Sequence, residues 1–383
     1  MALWRMLLFV AVALSIVFGV HYFLWVRLVR DPAWPTAWSR ALTWALVAFG
    51  ASIPVGIFAS RGLSRQAAAP LAWLAYTWMG VMFLLFFILL PLELPRLGAR
   101  LGGVDPERRV ALSRILAGFA GVVGVVMSGA GVASVLSRVG VKQVRVPLAK
   151  LPSKLSGYTI VQLTDIHVGP TIGRDFIEQI VRTTNALSPD LVAITGDLVD
   201  GSVEQLGHLV EPLRELRARD GVFFVTGNHE YYSGADAWIA HLRTLGIRVL
   251  RNERVPIRDD AGGFDLAGVD DTSAHSFGHG HGQDVPRAMA GRDASRVVVL
   301  LAHQPKAVRD ACKLGVDLQL SGHTHGGQIW PWGYAVRLDQ PHVAGFHIHQ
   351  GTAIYVSRGT GYWGPPMRVA APAEITRIEL VSA

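Results

Sequence analysis

Apolar residues follow two unlike patterns along this chain. Up to residue 139 they come in long runs, 7–26, 41–59, 71–92 and 115–136, each close to the ~20 residues that carry a helix across a bilayer. These runs predict an all-α bundle of four transmembrane helices over residues 1–139. The first run is too long, and too closely followed by others, to read as a cleaved signal peptide. Beyond residue 157 the runs shorten. Stretches 159–163, 191–195, 222–226, 297–301, 353–357 and 374–381 read as strands, whereas 175–187, 203–216 and 235–245 show helical spacing, with Gly246 as a C-cap. The alternation predicts an α/β domain over residues 157–383, long enough for one large core. Residues 140–156, with Pro147, Pro152, Lys142, Arg145, Lys150 and Lys154, read as a short stiff basic linker along an anionic surface.

Charge follows the same division. The chain of 383 residues carries a formal net charge of +7, but residues 1–139 hold 12 Lys and Arg against 4 Asp and Glu, and residues 140–383 hold 24 against 25. The basic surplus therefore belongs to the anchor, where it would meet lipid head groups. The rest lacks a nucleic-acid-binding stripe, so no nucleic acid is expected. Seven of the 11 tryptophans lie in the first 80 residues, many near span ends, as interfacial belts do. Gly50, Pro54 and Gly56 in the second run, and Gly121 and Gly124 in the fourth, predict close helix contacts. With four spans both termini share a side, and the flanking Lys and Arg tie at eight on each side. The basic cluster after the fourth span tips the reading toward a cytoplasmic catalytic domain in a bacterial inner membrane. A single cysteine, Cys312, forms no internal disulfide and decides no compartment.

The chemistry lies in five polar clusters of the second half: Asp165-Ile166-His167, Gly196-Asp197, Gly227-Asn228-His229-Glu230, His303, and Gly322-His323-Thr324-His325. The first three follow strand-like runs, so their side chains would gather at strand tips. Oxygen and nitrogen donors without a thiolate suit Mn, Fe, Zn or Co better than a structural zinc finger. Two such cations can activate a water, orient a phosphoryl group and neutralise its oxygens. Asp197 is the natural bridging carboxylate, because Gly196 lets the backbone turn sharply before it. Asn228 offers a neutral carbonyl that completes a shell without adding charge. The tract 274–282, with His275, His279 and His281 among glycines, reads as a flexible surface insertion outside the site. Trp330, Trp332, Tyr334, Tyr362 and Trp363 would either rim the cleft or pack against the sheet edge.

The ordered series Asp-x-His, Gly-Asp, Gly-Asn-His-Glu, His, Gly-His-x-His resembles the calcineurin-like metallophosphoesterases from about Gly157 onward. Tyr231-Tyr232, Gly326-Gly327-Gln328-Ile329 and Val356-Ser357-Arg358-Gly359-Thr360-Gly361 look like the membrane-associated bacterial branch of that family. Asp200-Gly201-Ser202 and Thr226-Gly227 stand where phosphoprotein phosphatases carry phosphate-gripping arginines, so that branch is disfavoured. The resemblance implies a four-layer αββα sandwich, with residues 353–357 and 374–381 in the second sheet. It implies that Asp165, His167, Asp197 and His325 hold one divalent cation, and that Asp197, Asn228, His303 and His323 hold another. His229 would stand beside them and assist the leaving oxygen. The implied protein is a membrane-anchored phosphohydrolase acting on a phosphoester or pyrophosphate. A lipid-linked or nucleotide-linked substrate is the most economical, because the tether holds the cleft at the interface. Its partners would be that substrate and membrane lipids, with no organic cofactor and no protein partner implied. The alternative is a non-catalytic membrane sensor whose metal domain binds a phosphorylated ligand.

Overall fold

A computed structural model describes residues 3–258 and 262–383; residues 1 and 2 of the expected anchor lie outside it. The chain divides into two compact units, Met1–Ala133 with Gly364–Val369, and Ser134–Trp363 with Ala370–Ala383.

The first unit is helical. Helix α1 (Leu3–Trp25) runs on through a π-helical turn at Val26–Arg30, and α2 (Thr36–Gly62), α3 (Arg65–Leu89), α4 (Glu93–Leu101) and α5 (Pro106–Leu136) follow. Four segments, Val10–Arg30, Thr36–Ser60, Arg65–Leu101 and Pro106–Leu136, are long and apolar enough to cross a membrane. Large apolar side chains such as Phe18, Trp44, Phe58 and Val125 stand exposed on them, as a lipid-facing surface requires. Small residues set the helix contacts as expected at three positions: a Cβ on Gly50 would press within 3.1 Å of the His21 ring, one on Gly56 would strike Ala75, and one on Gly124 would strike Leu85. Gly121 instead faces open space. His21 is a structural tie, since Trp78 Nε1 donates to its Nε2 at 2.9 Å and its Nδ1 donates to the Val17 carbonyl at 2.8 Å. The Gly364–Val369 segment belongs to this unit: Arg368 N–H donates to the Gly131 carbonyl at 3.0 Å, and Met367 is buried beside Gly80. The boundary expected at residue 139 thus falls at 133, and the chain returns to the helices once more near its end.

The second unit begins with β1 (Gly140–Leu148), β2 (Tyr158–Leu163), α6 (Arg174–Ala186), β3 (Leu191–Ile194), α7 (Val203–Val210) and β4 (Val222–Phe224). Then come α8 (Asn228–Ser233), α9 (Ala235–Thr244), β5 (Arg248–Val249), β6 (Glu253–Ile257), β7 (Phe264–Gly268) and α10 (Val285–Met289). It closes with β8 (Val298–Leu301), α11 (Val308–Ala311), β9 (Leu318–Ser321), α12 (Gly333–Val336), β10 (Gly345–His349), β11 (Thr352–Val356) and β12 (Glu374–Ser382). Two six-stranded sheets result, ordered β1-β12-β2-β3-β4-β5 and β10-β11-β9-β8-β7-β6. Ile160, Leu191 and Phe223 of the first pack against Leu266, Val299, Leu320 and Tyr355 of the second, closing a core between the sheets. The opposite face of the first sheet (Val161, Ile194, Phe224) is covered by α6, α7 and α9, with Trp238 fully buried. That of the second (Ala267, Val298, Leu300) is covered by α10 and α11. The four-layer αββα sandwich is therefore present. Strands buried on both faces read as unbroken hydrophobic runs, which is why β2, β3 and β8 were visible in the sequence.

Three expectations need correction. Residues 140–148 are no tether but strand β1, parallel to β12 with Gly140 opposite Glu374 and Leu148 opposite Ser382. Its charges and Pro147 disguise it; both are tolerated because β1 is an edge strand with one neighbour. Strand β12 lies in the first sheet, not the second, antiparallel to β2 with Ile378 opposite Ile160. The tract 274–282 is pinned rather than loose. Arg251 Nη2 donates to the Gly280 carbonyl (3.1 Å) and to His281 Nδ1 (2.8 Å), and Asn252 Nδ2 donates to the Gly282 carbonyl (2.7 Å).

Candidate metal centre

Parallel strands leave their C-terminal tips along one edge, and the polar clusters stand on those tips. Asp165 and His167 follow β2, Asp197 follows β3, and Asn228 and His229 open α8 after β4; His303 follows β8, and His323 and His325 follow β9. Five of these residues hold left-handed backbones: Asp165 (φ 51°), His167 (56°), Asp197 (53°), His323 (69°) and His325 (51°). Such conformations are costly for residues with a Cβ and survive only where the surroundings enforce them. Here Asp165 N–H donates to the Gly196 carbonyl (3.0 Å), His167 N–H to the Asp197 carbonyl (3.1 Å), and Gly361 N–H to the Asp165 carbonyl (2.9 Å). The Glu230 carboxylate clamps two loops, accepting from the N–H groups of Asp197 (2.9 Å), Leu198 (2.7 Å) and Gly227 (2.7 Å). Residue 227 must be glycine, because a Cβ there would run into the Asp197 carboxylate.

The imidazoles are oriented by bonds on their outer nitrogens. His167 Nδ1 and His229 Nδ1 both donate to Asp200 Oδ1, at 3.0 and 2.6 Å. His303 Nδ1 donates to the Thr195 carbonyl at 2.8 Å. Each bond turns the opposite nitrogen of His167 and His303 inward, and these Nε2 atoms stand 3.8 and 3.1 Å from Asp197 Oδ2. His325 Nε2 lies 3.1 Å from His167 Nε2 and 3.5 Å from Asp165 Oδ1, while His323 Nδ1 lies 3.2 Å from His303 Nε2. Donor atoms of Asp165, His167 and His325, of His167, Asp197 and His229, and of Asp197, His303 and His323 each fall within 4.8 Å of one another. Inward nitrogens this close need a proton or a cation between them. Asn228 Oδ1 is buried without a hydrogen-bond partner. A buried amide carbonyl left unpaired is rare, and a cation is the partner its neighbours suit.

The charges are interlocked. Burial pushes the Asp165 carboxyl up, outweighing the opposing pull of His303, and the nearby Asp197 carboxylate adds to the rise. Burial also opposes charge on Asp197, but His303 and His229 hold its carboxyl well below the usual range. Asp200 falls to about 2, the imidazoles of His167 and His229 outweighing its burial. His229 rises to about 9, since Asp197 and Asp200 overcome the burial that would lower it. Burial and the neighbouring His303 drop His323 to about 3.

All eight residues singled out in the sequence thus stand on adjoining strand tips. Two others had been passed over. Asp200 belongs to the same loop as Asp197, three residues on, and only its shared bond to two imidazoles reveals its part. Glu230 stood at the end of the Asn-His pair, and its clamp on backbone amides has no signature in composition. Tyr232 and Trp363, both exposed, lie edge-on to His229 with ring centroids 5.4 Å away. Trp330, Trp332 and Tyr334 are exposed as well, whereas Tyr362 is buried in the core. Among the described residues, the donor groups of the centre include none of His275, His279 and His281.

A two-sheet sandwich that brings carboxylates, an amide and imidazoles together at its strand tips defines a metal-dependent phosphoesterase. The chain belongs to the calcineurin-like phosphoesterase family, whose model matches residues 158–327. It is 42% identical over 299 residues to a bovine (Bos taurus) transmembrane protein with metallophosphoesterase domain, covering 75% of this chain and 67% of the relative. It is 34% identical over 318 residues to an uncharacterized metallophosphoesterase of Campylobacter jejuni, covering 80% of this chain and 83% of the relative. Among solved structures, the 5'-nucleotidase precursor of Thermus thermophilus is similar with a TM-score of 0.34 at 17% identity. That alignment covers 59% of this chain and 54% of the nucleotidase, so this chain spans about half of its length.

Proposed function

We propose that this protein is a membrane-anchored phosphohydrolase with two divalent cations, drawn from Mn, Fe, Zn and Co. Asp165, His167, Asp197 and His325 hold one, and Asp197, Asn228, His303 and His323 hold the other. The observation that carries this reading is the unpartnered buried carbonyl of Asn228 beside an Asp197 carboxylate that faces both His167 and His303. Bound there, the cations would supply charge neutralisation at phosphorus and activation of a water. The protein's own part is orientation. Asp200 fixes the rings of His167 and His229, Glu230 fixes the loops that carry Asp197 and Asn228, and Asp197 receives the His229 N–H at 2.9 Å. His229, held by the bond from its Nδ1 to Asp200 Oδ1 at 2.6 Å, stands beside the donor cluster and protonates the leaving oxygen. The exposed rings of Tyr232 and Trp363 give that leaving group an apolar wall.

The substrate is a phosphoester or pyrophosphate that is lipid-linked or nucleotide-linked, met where four membrane-crossing helices keep the enzyme. The anchor lies in a bacterial inner membrane with the catalytic unit on the cytoplasmic side. Full-length protein supplied with Mn is expected to bind two ions by elemental analysis and to cleave aryl phosphodiesters or phosphomonoesters. Asn228→Ala should keep the fold, bind about one ion and lose roughly 10- to 100-fold in activity. Fewer than two ions in the native protein at saturating supply would sink the two-cation reading. Two ions with no turnover on a panel of lipid phosphates and nucleotide diphospho-lipids would leave the sensor in its place.

A further inference from the structure

Within the helical unit, the turn after α1, helix α4 and the start of α5 line an open cavity of about 520 Å³. Arg27, Asp31, Glu93, Arg96, Arg100 and Arg109 supply its charged lining. The charges form two layers. In the inner one Arg27 pairs with Asp31 at 2.6 Å and with Glu93, and Arg96 approaches Glu93 at 3.6 Å and Asp31 at 3.9 Å. Arg96 is only 8% exposed. Its Nη1 donates to Ser113 Oγ at 3.3 Å, and its Nε faces Glu93 Oε1 beyond hydrogen-bond distance, but its Nη2, like Nε of Arg27, is buried with no hydrogen-bond partner. In the outer layer stand Arg100, exposed, and Arg109, half-buried; among the described residues neither is paired with a carboxylate. Four guanidinium groups thus face two carboxylates, with unused buried donors at the bottom and unpaired cations at the rim.

We propose that this cavity is an anion site that takes the phosphate of an acidic lipid headgroup. Guanidinium forks match phosphate oxygens in geometry and charge, and the buried Arg96 Nη2 lacks the acceptor such an oxygen supplies. Leu94 and Leu97 line the same cavity, 71% and 52% exposed, and offer the attached chains an apolar bed. A basic pocket between membrane helices with an apolar border is the arrangement by which acidic lipids are held. Inorganic phosphate would use the same nitrogens without the leucines.

The test is native mass spectrometry of the full-length protein in a neutral detergent, with phosphatidylglycerol, phosphatidylcholine or inorganic phosphate added. Phosphatidylglycerol should be retained in preference to phosphatidylcholine. The double substitution Arg100→Gln/Arg109→Gln, at accessible positions that leave the inner ion pairs whole, should weaken that retention roughly tenfold or more. Leu97→Ser should weaken lipid retention while sparing phosphate. Retention of phosphate alone, lost in the arginine variant, would keep the anion site and make its occupant a soluble one. Equal retention of both lipids by the native protein with no binding of phosphate, or undiminished binding in the arginine variant, overturns the proposal. The readout is bound ligand rather than turnover, so it stands apart from the phosphohydrolase reading.

Discussion

At the residue scale, the centre depends on groups one step removed from the inward-facing atoms. Asp200 carries two imidazoles on a single oxygen, so its removal disorders one ring of the donor cluster and the ring beside it together. Asp200→Asn, close in shape, should reduce metal affinity or activity roughly 10- to 100-fold, with the folded far-UV spectrum retained. A calorimetric metal titration unchanged from the native protein would refute that positioning role. The gathering of eight polar residues at the strand tips was legible in the sequence because short polar clusters after hydrophobic runs announce such tips. Asp200 and Glu230 were not, because their contribution is a hydrogen bond to groups distant along the chain. The left-handed backbones of Asp165, His167, Asp197, His323 and His325 were equally hidden, since ordinary L-residues stand where a glycine would have signalled them.

At the element scale, His342, in the segment before strand β10, meets His347 and His349 of that strand. The His342 ring stacks on His347 at 4.4 Å between centroids, and its Nε2 lies 3.2 Å from His349 Nδ1. Partial burial, and then the two neighbouring imidazoles, lower His342 to about 4 from its ordinary 6.5. The folded state therefore prefers neutral His342. Above pH 6.5 the ring is neutral folded or unfolded, and as pH falls toward 4 the unfolded chain takes up a proton that the folded one resists, so stability is lost across that interval. Amide exchange in β10 should accelerate between pH 7.5 and 5 relative to β8, and His342→Gln should flatten the difference. Identical pH profiles for native and substituted strands would refute the assignment. Buried strands with unbroken apolar runs, β2, β3, β8 and β11, were read correctly, whereas the buried β7 and β9, interrupted by Asp265 and Gln319, and the edge strands β1, β5, β6 and β10 were not, for polar residues blur their pattern. Helix α4 went unseen for a related reason: its leucines face outward while Arg96 turns in, the reverse of the pattern that marks a helix in water.

At the scale of the whole molecule, the two units should respond differently to cations. If ions occupy the strand-tip cluster, they bind the folded second unit and not its unfolded chain. At a hundredfold excess over the dissociation constant this contributes ~2.7 kcal/mol. Chelator should then lower the melting temperature of that unit by roughly 5–10 °C, followed by fluorescence of an extrinsic dye, while helical content from the first unit stays constant. A single melting point indifferent to chelator would contradict this. The change of hydropathy near residue 139 and the division between the two compact units fall close together along the chain. The return of Gly364–Val369 to the helices escaped notice, as a six-residue loop with one methionine has no periodicity to betray it.

That return has an evolutionary corollary. Since the polypeptide leaves the α/β sandwich after Trp363 and re-enters it at Ala370, a recombination event that exchanged the hydrophobic anchor at a single crossover would strand Met367 without its seat beside Gly80. Exchange of the anchor alone would therefore need a second junction to keep that seat filled.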